Sequence, residues 1–321
     1  MMGRRHIVGW LWCAALLVGG CEDDVAGPAG VDEPFSMYGI INPRLNQQTL
    51  LVSPIEDLLY PLDSSIDAVV TSTDVGTGNQ YVWKDSVLAN ATGQLDHVFW
   101  AEFRPDFGSR HRIEVVRSDG EMSSAEADVP AEVEIEHLDT RTRYLDVTIL
   151  SKDIRLIRID VIYGVRGFRI HTMTESLYPY STYAFSRTNQ QARVDGGWRL
   201  RINLDTDYEQ LRSLYFIDFY PDEFPGFWNP ACDGLALFDL EISLTIGSND
   251  WDPPGGTFDP NVLVQPGTLT NVVNGFGFVA GGYNEEYSLY PSTETLDDTW
   301  FFDFIDGRAP ELRGCGRYVG G

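Results

Sequence analysis

Thiols, imidazoles, carboxylates and guanidiniums are the groups with which this chain could do chemistry. The four cysteines are Cys13, Cys21, Cys232 and Cys315, and neither a CxxC nor a Cys/His zinc spacing occurs. Beyond the N-terminal segment the histidines are His97, His111, His137 and His171. None is spaced to share a metal on one element, and each reads as a strand-surface residue. Asp250-Trp251-Asp252, Asp222-Glu223 and Asp297-Asp298 offer the hard oxygens that Ca²⁺ takes. The EF-hand loop pattern is absent, and loop acids are expected in so acidic a chain, so no metal and no cofactor is assigned. The chain has no G-x-S-x-G elbow, no H-E-x-x-H, no phosphate loop and no strand-borne G-x-G-x-x-G.

Two clusters remain as surfaces for a ligand or partner. Tyr215, Phe219, Tyr220, Phe224, Phe227 and Trp228 crowd one stretch. They form either an apolar platform for sugar, peptide or receptor, or a strand and Pro-rich loop that close one end of a sandwich. Arg141 and Arg143, and again Arg199 and Arg201, stand two apart. On strands each pair shares one face, where it would meet an acidic glycan, a phosphate or an acidic partner, or else the chain's own acids.

Composition narrows the classes. The chain has 321 residues, 23 Lys+Arg against 48 Asp+Glu, and a net charge of -25. Such a balance excludes a basic footprint for nucleic acid. With 43% hydrophobic and 12% aromatic residues the chain can fill one or two cores. The charge is segregated: residues 141–213 carry 12 basic and 8 acidic groups, between two strongly acidic flanks. Lys84 and Lys152 are the only lysines. Acidic, Lys-poor surfaces stay hydrated at high salt.

The N-terminus reads as a targeting segment. Arg4 and Arg5 precede an apolar run from Ile7 to Val18, too short for the roughly 20 residues of a bilayer span. It ends in Val18-Gly19-Gly20-Cys21, which resembles a bacterial lipobox. The resemblance implies a signal peptide over 1–20, cleavage before Cys21 and lipidation of its thiol. Several acyl chains at about 0.8 kcal/mol per buried CH₂ anchor a protein stably. Cleavage would remove Arg4 and Arg5 but no acid, deepening the charge from -25 to −27. Residues 21–33 then form a flexible, acidic tether. In an exported protein Cys232 and Cys315 form either one disulfide or two buried thiols.

From residue 34 the chain reads as β almost throughout. Seven short runs up to Asp128, divided by turn residues such as Asp119-Gly120, predict an immunoglobulin-like β-sandwich over 34–130. A larger β-rich domain is expected over 131–321, with at most one or two short helices. The best helix candidate is Asp205–Leu214, capped by Asp or Thr and carrying Tyr208, Leu211 and Leu214.

Three features together resemble a family of envelope lipoproteins in diderm bacteria, often found beside TonB-dependent outer-membrane receptors. They are the Cys21 motif with its acidic tether, the stretch from Phe103-Arg104-Pro105-Asp106-Phe107-Gly108 through Asp119-Gly120 to Val129-Pro130, and the Gly-rich segment Thr270–Gly282. The resemblance implies lipid anchoring at the outer membrane and a non-enzymatic accessory or binding role with an uptake receptor. It carries over no catalytic residue. The alternatives are a surface hydrolase acting on glycans or peptides, which would need two carboxylates roughly 5–10 Å apart, and a structural adhesin or envelope-assembly protein.

Overall fold

The computed structural model describes residues 33–55, 65–89, 95–139, 144–151, 153–169, 180–219, 233–251 and 270–288. The architecture is all-β with one α-helix among these residues. In chain order the strands are β1 (Phe35–Ile41), β2 (Gln47–Pro54), β3 (Val69–Asp74), β4 (Gln80–Val82), β5 (Lys84–Ala89), β6 (Leu95–Glu102), β7 (Arg110–Val116) and β8 (Met122–Asp128). Then come β9 (Glu134–Asp139), β10 (Tyr144–Leu150), β11 (Arg155–Arg169), β12 (Tyr180–Ser186), β13 (Gln191–Val194) and β14 (Gly197–Asn203). The helix α1 (Leu204–Phe219) leads to β15 (Asp233–Gly247), β16 (Val272–Val273) and β17 (Gly275–Ser288).

Strict alternation builds the first sandwich. In β7 His111, Ile113 and Val115 are buried while Arg110 and Arg112 face water, the period of a half-buried strand. The sheet β16-β8-β7-β3-β4 packs on the β1-β2-β6-β5 half of an eight-stranded sheet. Their shared core contains Phe35, Met37, Leu50, Phe99, Ile113 and Val115. The chain changes sheets between β4 and β5 through one residue, Trp83. It is buried, its backbone N–H donates to Val70 O at 2.9 Å and its indole N–H donates to Ser72 Oγ at 3.0 Å. With no Gly or Pro at this crossover, the sequence reading merges β4 with the start of β5.

The other half of the eight-stranded sheet, β12-β11-β15-β17, lies over β13-β14-β10-β9 and α1. Its core joins Val147 and Ile149 of β10, Ile159 and Val161 of β11, and Ile242 and Leu244 of β15. Asn203, rather than the expected Asp or Thr, precedes the helix, and its side-chain oxygen accepts from Thr206 N at 3.4 Å. Tyr208, Leu211 and Tyr215, three and four apart, are buried against the sheet. That stripe carries the helix to Phe219, so Leu214–Phe219 is helical where a strand was one expectation.

One strand stitches the two sandwiches together. Gly275–Gly281 of β17 run parallel to Phe35–Ile41 of β1, and Gly282–Ser288 run antiparallel to Glu241–Gly247 of β15. The glycines make the close approach. A Cβ on Gly277 would stand 2.0 Å from Met37 O, and one on Gly281 2.0 Å from Asp128 O. Gly277 also has φ 113, open only to glycine at low cost. Along Gly275–Gly281, where β17 has β1 on one side and no described strand on the other, side chains meet its backbone. Asn271 accepts from Val279 N at 3.0 Å and donates to Val279 O at 2.6 Å, and Thr270 Oγ1 donates to Gly277 O at 2.8 Å. The Gly-rich segment singled out in the sequence is therefore a structural seam. It carries the eight-stranded sheet across the expected junction near residue 130.

Candidate functional site

The cores hold the catalytic-looking groups in structural roles. Asp207, in the first turn of α1, accepts from Tyr163 Oη and Arg187 Nη2 and is 3% exposed. This buried trio pins α1 to β11 and to the residue after β12. Burial, then the Asp207 carboxylate, push the Tyr163 phenol well above its ordinary value.

Two histidines expected on strand surfaces are buried instead. His97 sits 3.1 Å from Asp85 on the neighbouring β5. His111 is 1% exposed and lies against Phe103, and neither ring nitrogen has a protein hydrogen-bond partner. Alternation along β6 and β7 puts both on the core face, because residue type alone does not fix the face of a strand. The His137 side chain and His171 lie outside the described residues.

Of the acids considered for Ca²⁺, Asp250 is engaged by a protein group. It hydrogen-bonds Asp128, which raises its pKa. Asp128 is held low by the Arg110 guanidinium, whose Nη2 donates to Asp128 Oδ2 at 2.8 Å and whose Nε donates to Oδ1. A guanidinium thus pairs with the carboxylate that Asp250 bonds to. Among the described residues no group of three or more metal-ligating side chains forms. Asp222, Glu223, Asp252, Asp297 and Asp298 lie outside them.

The aromatic stretch separates. Tyr215 is fully buried under α1 and is part of the core rather than a platform. The Phe219 side chain and Tyr220, Phe224, Phe227 and Trp228 lie outside the described residues, as do Cys21, Cys232 and Cys315.

The structure places Arg199 and Arg201 on one face of β14. In β14 Leu200 and Ile202 are buried, so Arg199 and Arg201 project together from the outer face. Arg201 lies 4.3 Å over the ring of Tyr144 and 3.6 Å from Asp146 Oδ1. Both partners come from β10, where Asp146 opposes Arg201 in register. Arg199 opposes Thr148 and has no ion-pair partner among the described residues. The site is therefore one guanidinium fixed on an aromatic ring and a second one open to solvent. Such a pair suits a carboxylate or phosphate of a ligand, by fork-like hydrogen bonding. Tyr144 and Asp146 were not singled out in the sequence. Their signal was the same two-residue spacing on the preceding strand. Arg141 and Arg143 lie outside the described residues.

No family model matches the chain, and no curated protein matches it. Among solved structures it resembles pullulanase from Anoxybacillus sp. LM18-11, alone and complexed with maltotriose. Each comparison has a TM-score of 0.20 and 12% sequence identity over 53% of this chain. This chain spans only 22% of the pullulanase chain, and a likeness that slight carries no argument about fold or activity.

Proposed function

We propose that this protein is a lipid-anchored envelope protein, attached through Cys21 to the outer membrane. Its role is that of a non-enzymatic accessory or binding partner of an uptake receptor, as in the TonB-associated lipoprotein family it resembles. The observation that carries the reading is the order Arg4-Arg5, apolar run, Val18-Gly19-Gly20-Cys21, acidic stretch, followed at Phe35 by a first strand buried at every residue but Ile40. The tether between Cys21 and Phe35 has a reach on the order of 45 Å when extended, enough to lift a folded body off a bilayer. The strand orders β1-β2-β6-β5 and β8-β7-β3-β4 support reading the first sandwich as immunoglobulin-like, a frequent scaffold for binding surfaces. The face of the second sandwich that bears Arg199 and Arg201 is the protein's surface for an acidic glycan or an acidic partner segment.

Expression in a diderm host with an alkyne-palmitate label tests the anchor. The wild type should be labelled and sediment with membranes, and Cys21→Ala should be unlabelled and soluble. A labelled Cys21→Ala protein, or an unlabelled wild type, would sink the anchor. Affinity capture of the anchored protein from solubilised membranes tests the partnership, and recovery without a receptor would sink the accessory role.

A further inference from the structure

At one end of the first sandwich two ionisable side chains face each other on the inner surface of a sheet. Asp74 closes β3, His111 is the second residue of β7, and the two are paired in register. Directly opposed residues of antiparallel strands hold their Cβ atoms about 5 Å apart. Asp74 is 8% exposed and His111 1%. The Asp74 carboxylate is committed to the turn that follows it, where Oδ1 accepts from Gly76 N at 2.8 Å and from Thr77 N at 3.1 Å. His111 has no such commitment, since neither ring nitrogen has a hydrogen-bond partner among the described residues. Its ring rests on Phe103, with centroids 5.5 Å apart. Phe103 in turn stacks on Tyr81 at 4.2 Å and meets Trp83 edge-on.

An imidazole so placed is held neutral. The charges that act on it are Asp74 from β3 and Asp106 from the turn before β7, and burial outweighs both. Its other neighbours bring no counter-charge. On β8 the residue opposite His111 is Ala127, and from β2 the buried Gln48 spends its Nε2 on Phe103 O at 3.3 Å. Arg104 donates to Pro43 O at 2.8 Å, while Arg110 and Arg112 pair with Asp128 and Glu126 on the outer face. The cover over the pair is thin. Residues 75–80 are exposed, and β4 has three residues and pairs with β3 alone among the described strands. The turn is tied by Gly78 N to Asp74 O and by Val75 N to Arg110 O, each at 2.8 Å. So lightly held an element opens at a fraction of the global unfolding free energy. The rows further in, Ser72 with Ile113 and Val70 with Val115, contain no ionisable group.

We propose that His111 is a proton-operated latch on the β3–β4 end of the first sandwich. A proton taken from solvent gives the ring a charge and two N–H donors, and the only carboxylate directly across from it is already spent on the turn. The ring then leaves the core for water. Residues 75–79 and β4 lift away with it, and Phe103 and Tyr81 meet solvent while the second sandwich stays folded. Mildly acidic surroundings thereby expose an apolar surface that neutral surroundings keep closed. The inference is independent of the lipid anchor and of the Arg199 face.

Hydrogen exchange of the full chain in non-ionic detergent, at pH 7.5 and pH 5, is the test, with each rate divided by the intrinsic rate at that pH. Protection over residues 74–82 should fall several-fold at pH 5, within the limit of about thirtyfold that one proton of pKa about 6.5 allows. Protection in β10 and β14 should not change. His111→Phe keeps the contact with Phe103 and should abolish the fall. Asp74→Asn keeps an oxygen for Gly76 N and Thr77 N but removes a charge that favours the imidazolium, so the fall should be as large or larger. A fall absent from the wild type, retained in His111→Phe, lost in Asp74→Asn, or spread equally over β10 and β14 would overturn the proposal.

Discussion

At the scale of single residues, burial decides what the ionisable groups do. His111 sits in the first core with no protein partner for its ring nitrogens, and burial pushes its pKa below the ordinary 6.5. Asp74 on β3 and Asp106 in the preceding turn pull it back up in part. The unfolded chain then binds a proton that the folded chain refuses. Stability is full above about pH 6.5 and is lost as pH falls from there through the lower folded-state value. His111→Phe, which keeps the contact with Phe103, should shrink the loss of urea midpoint between pH 7.5 and pH 5. An unchanged loss would show that His111 does not titrate as its burial requires. Arg199 is the opposite case. Exposed and without an ion-pair partner among the described residues, it contributes little to folding through them, and its guanidinium faces solvent.

At the scale of elements, β17 shows what a glycine run is for. Met37 O on one side and Asp128 O on the other leave no room for a side chain at Gly277 and Gly281. Gly277→Ala adds a methyl against backbone and forces a positive φ on alanine. We expect a loss of about 2–4 kcal/mol, combining overpacking and backbone strain. Urea denaturation checks it, and a loss below about 0.5 kcal/mol would mean that β1 and β17 do not lie this close. The helix shows the reverse case, where sequence spacing extends an element. Tyr208, Leu211 and Tyr215 continue one stripe, and this burial carries α1 past Leu214, where its first turn alone gave no reason to go on.

At the scale of the whole molecule, the two sandwiches are joined through side chains as well as through β17. Tyr283 Oη donates to Ala131 O at 2.9 Å and accepts from Val133 N at 3.1 Å, clamping the link between β8 and β9. Arg44 lies over Phe107 and Tyr283 and pairs with Glu132 at 3.1 Å and Glu285 at 2.7 Å. With a strand common to both cores, the wild type should unfold in one transition, seen alike by circular dichroism and tryptophan fluorescence. Tyr283→Phe leaves Val133 N buried without its acceptor, and should cost about 1–3 kcal/mol. Two separated transitions in the wild type would show that the sandwiches are energetically independent.

Alternation of apolar and polar residues made the β class legible, because a two-residue period has one structural meaning in a half-buried strand. It also placed β1–β3, β7, β8, β10 and β14 within a few residues, and it put Arg199 and Arg201 on one face. The strands it passed over lack that signal: β5 follows β4 with no turn residue, and β12 and β13 are edges that bury little. Which face of each strand turns inward was decided only in three dimensions, as His97 and His111 show. So was the partnership of β17 with β1, set by close backbone approach between residues 240 positions apart. Periodicity is a local property and can be read along the chain. Register between distant strands depends on which surfaces meet, and that is settled only when the chain has folded.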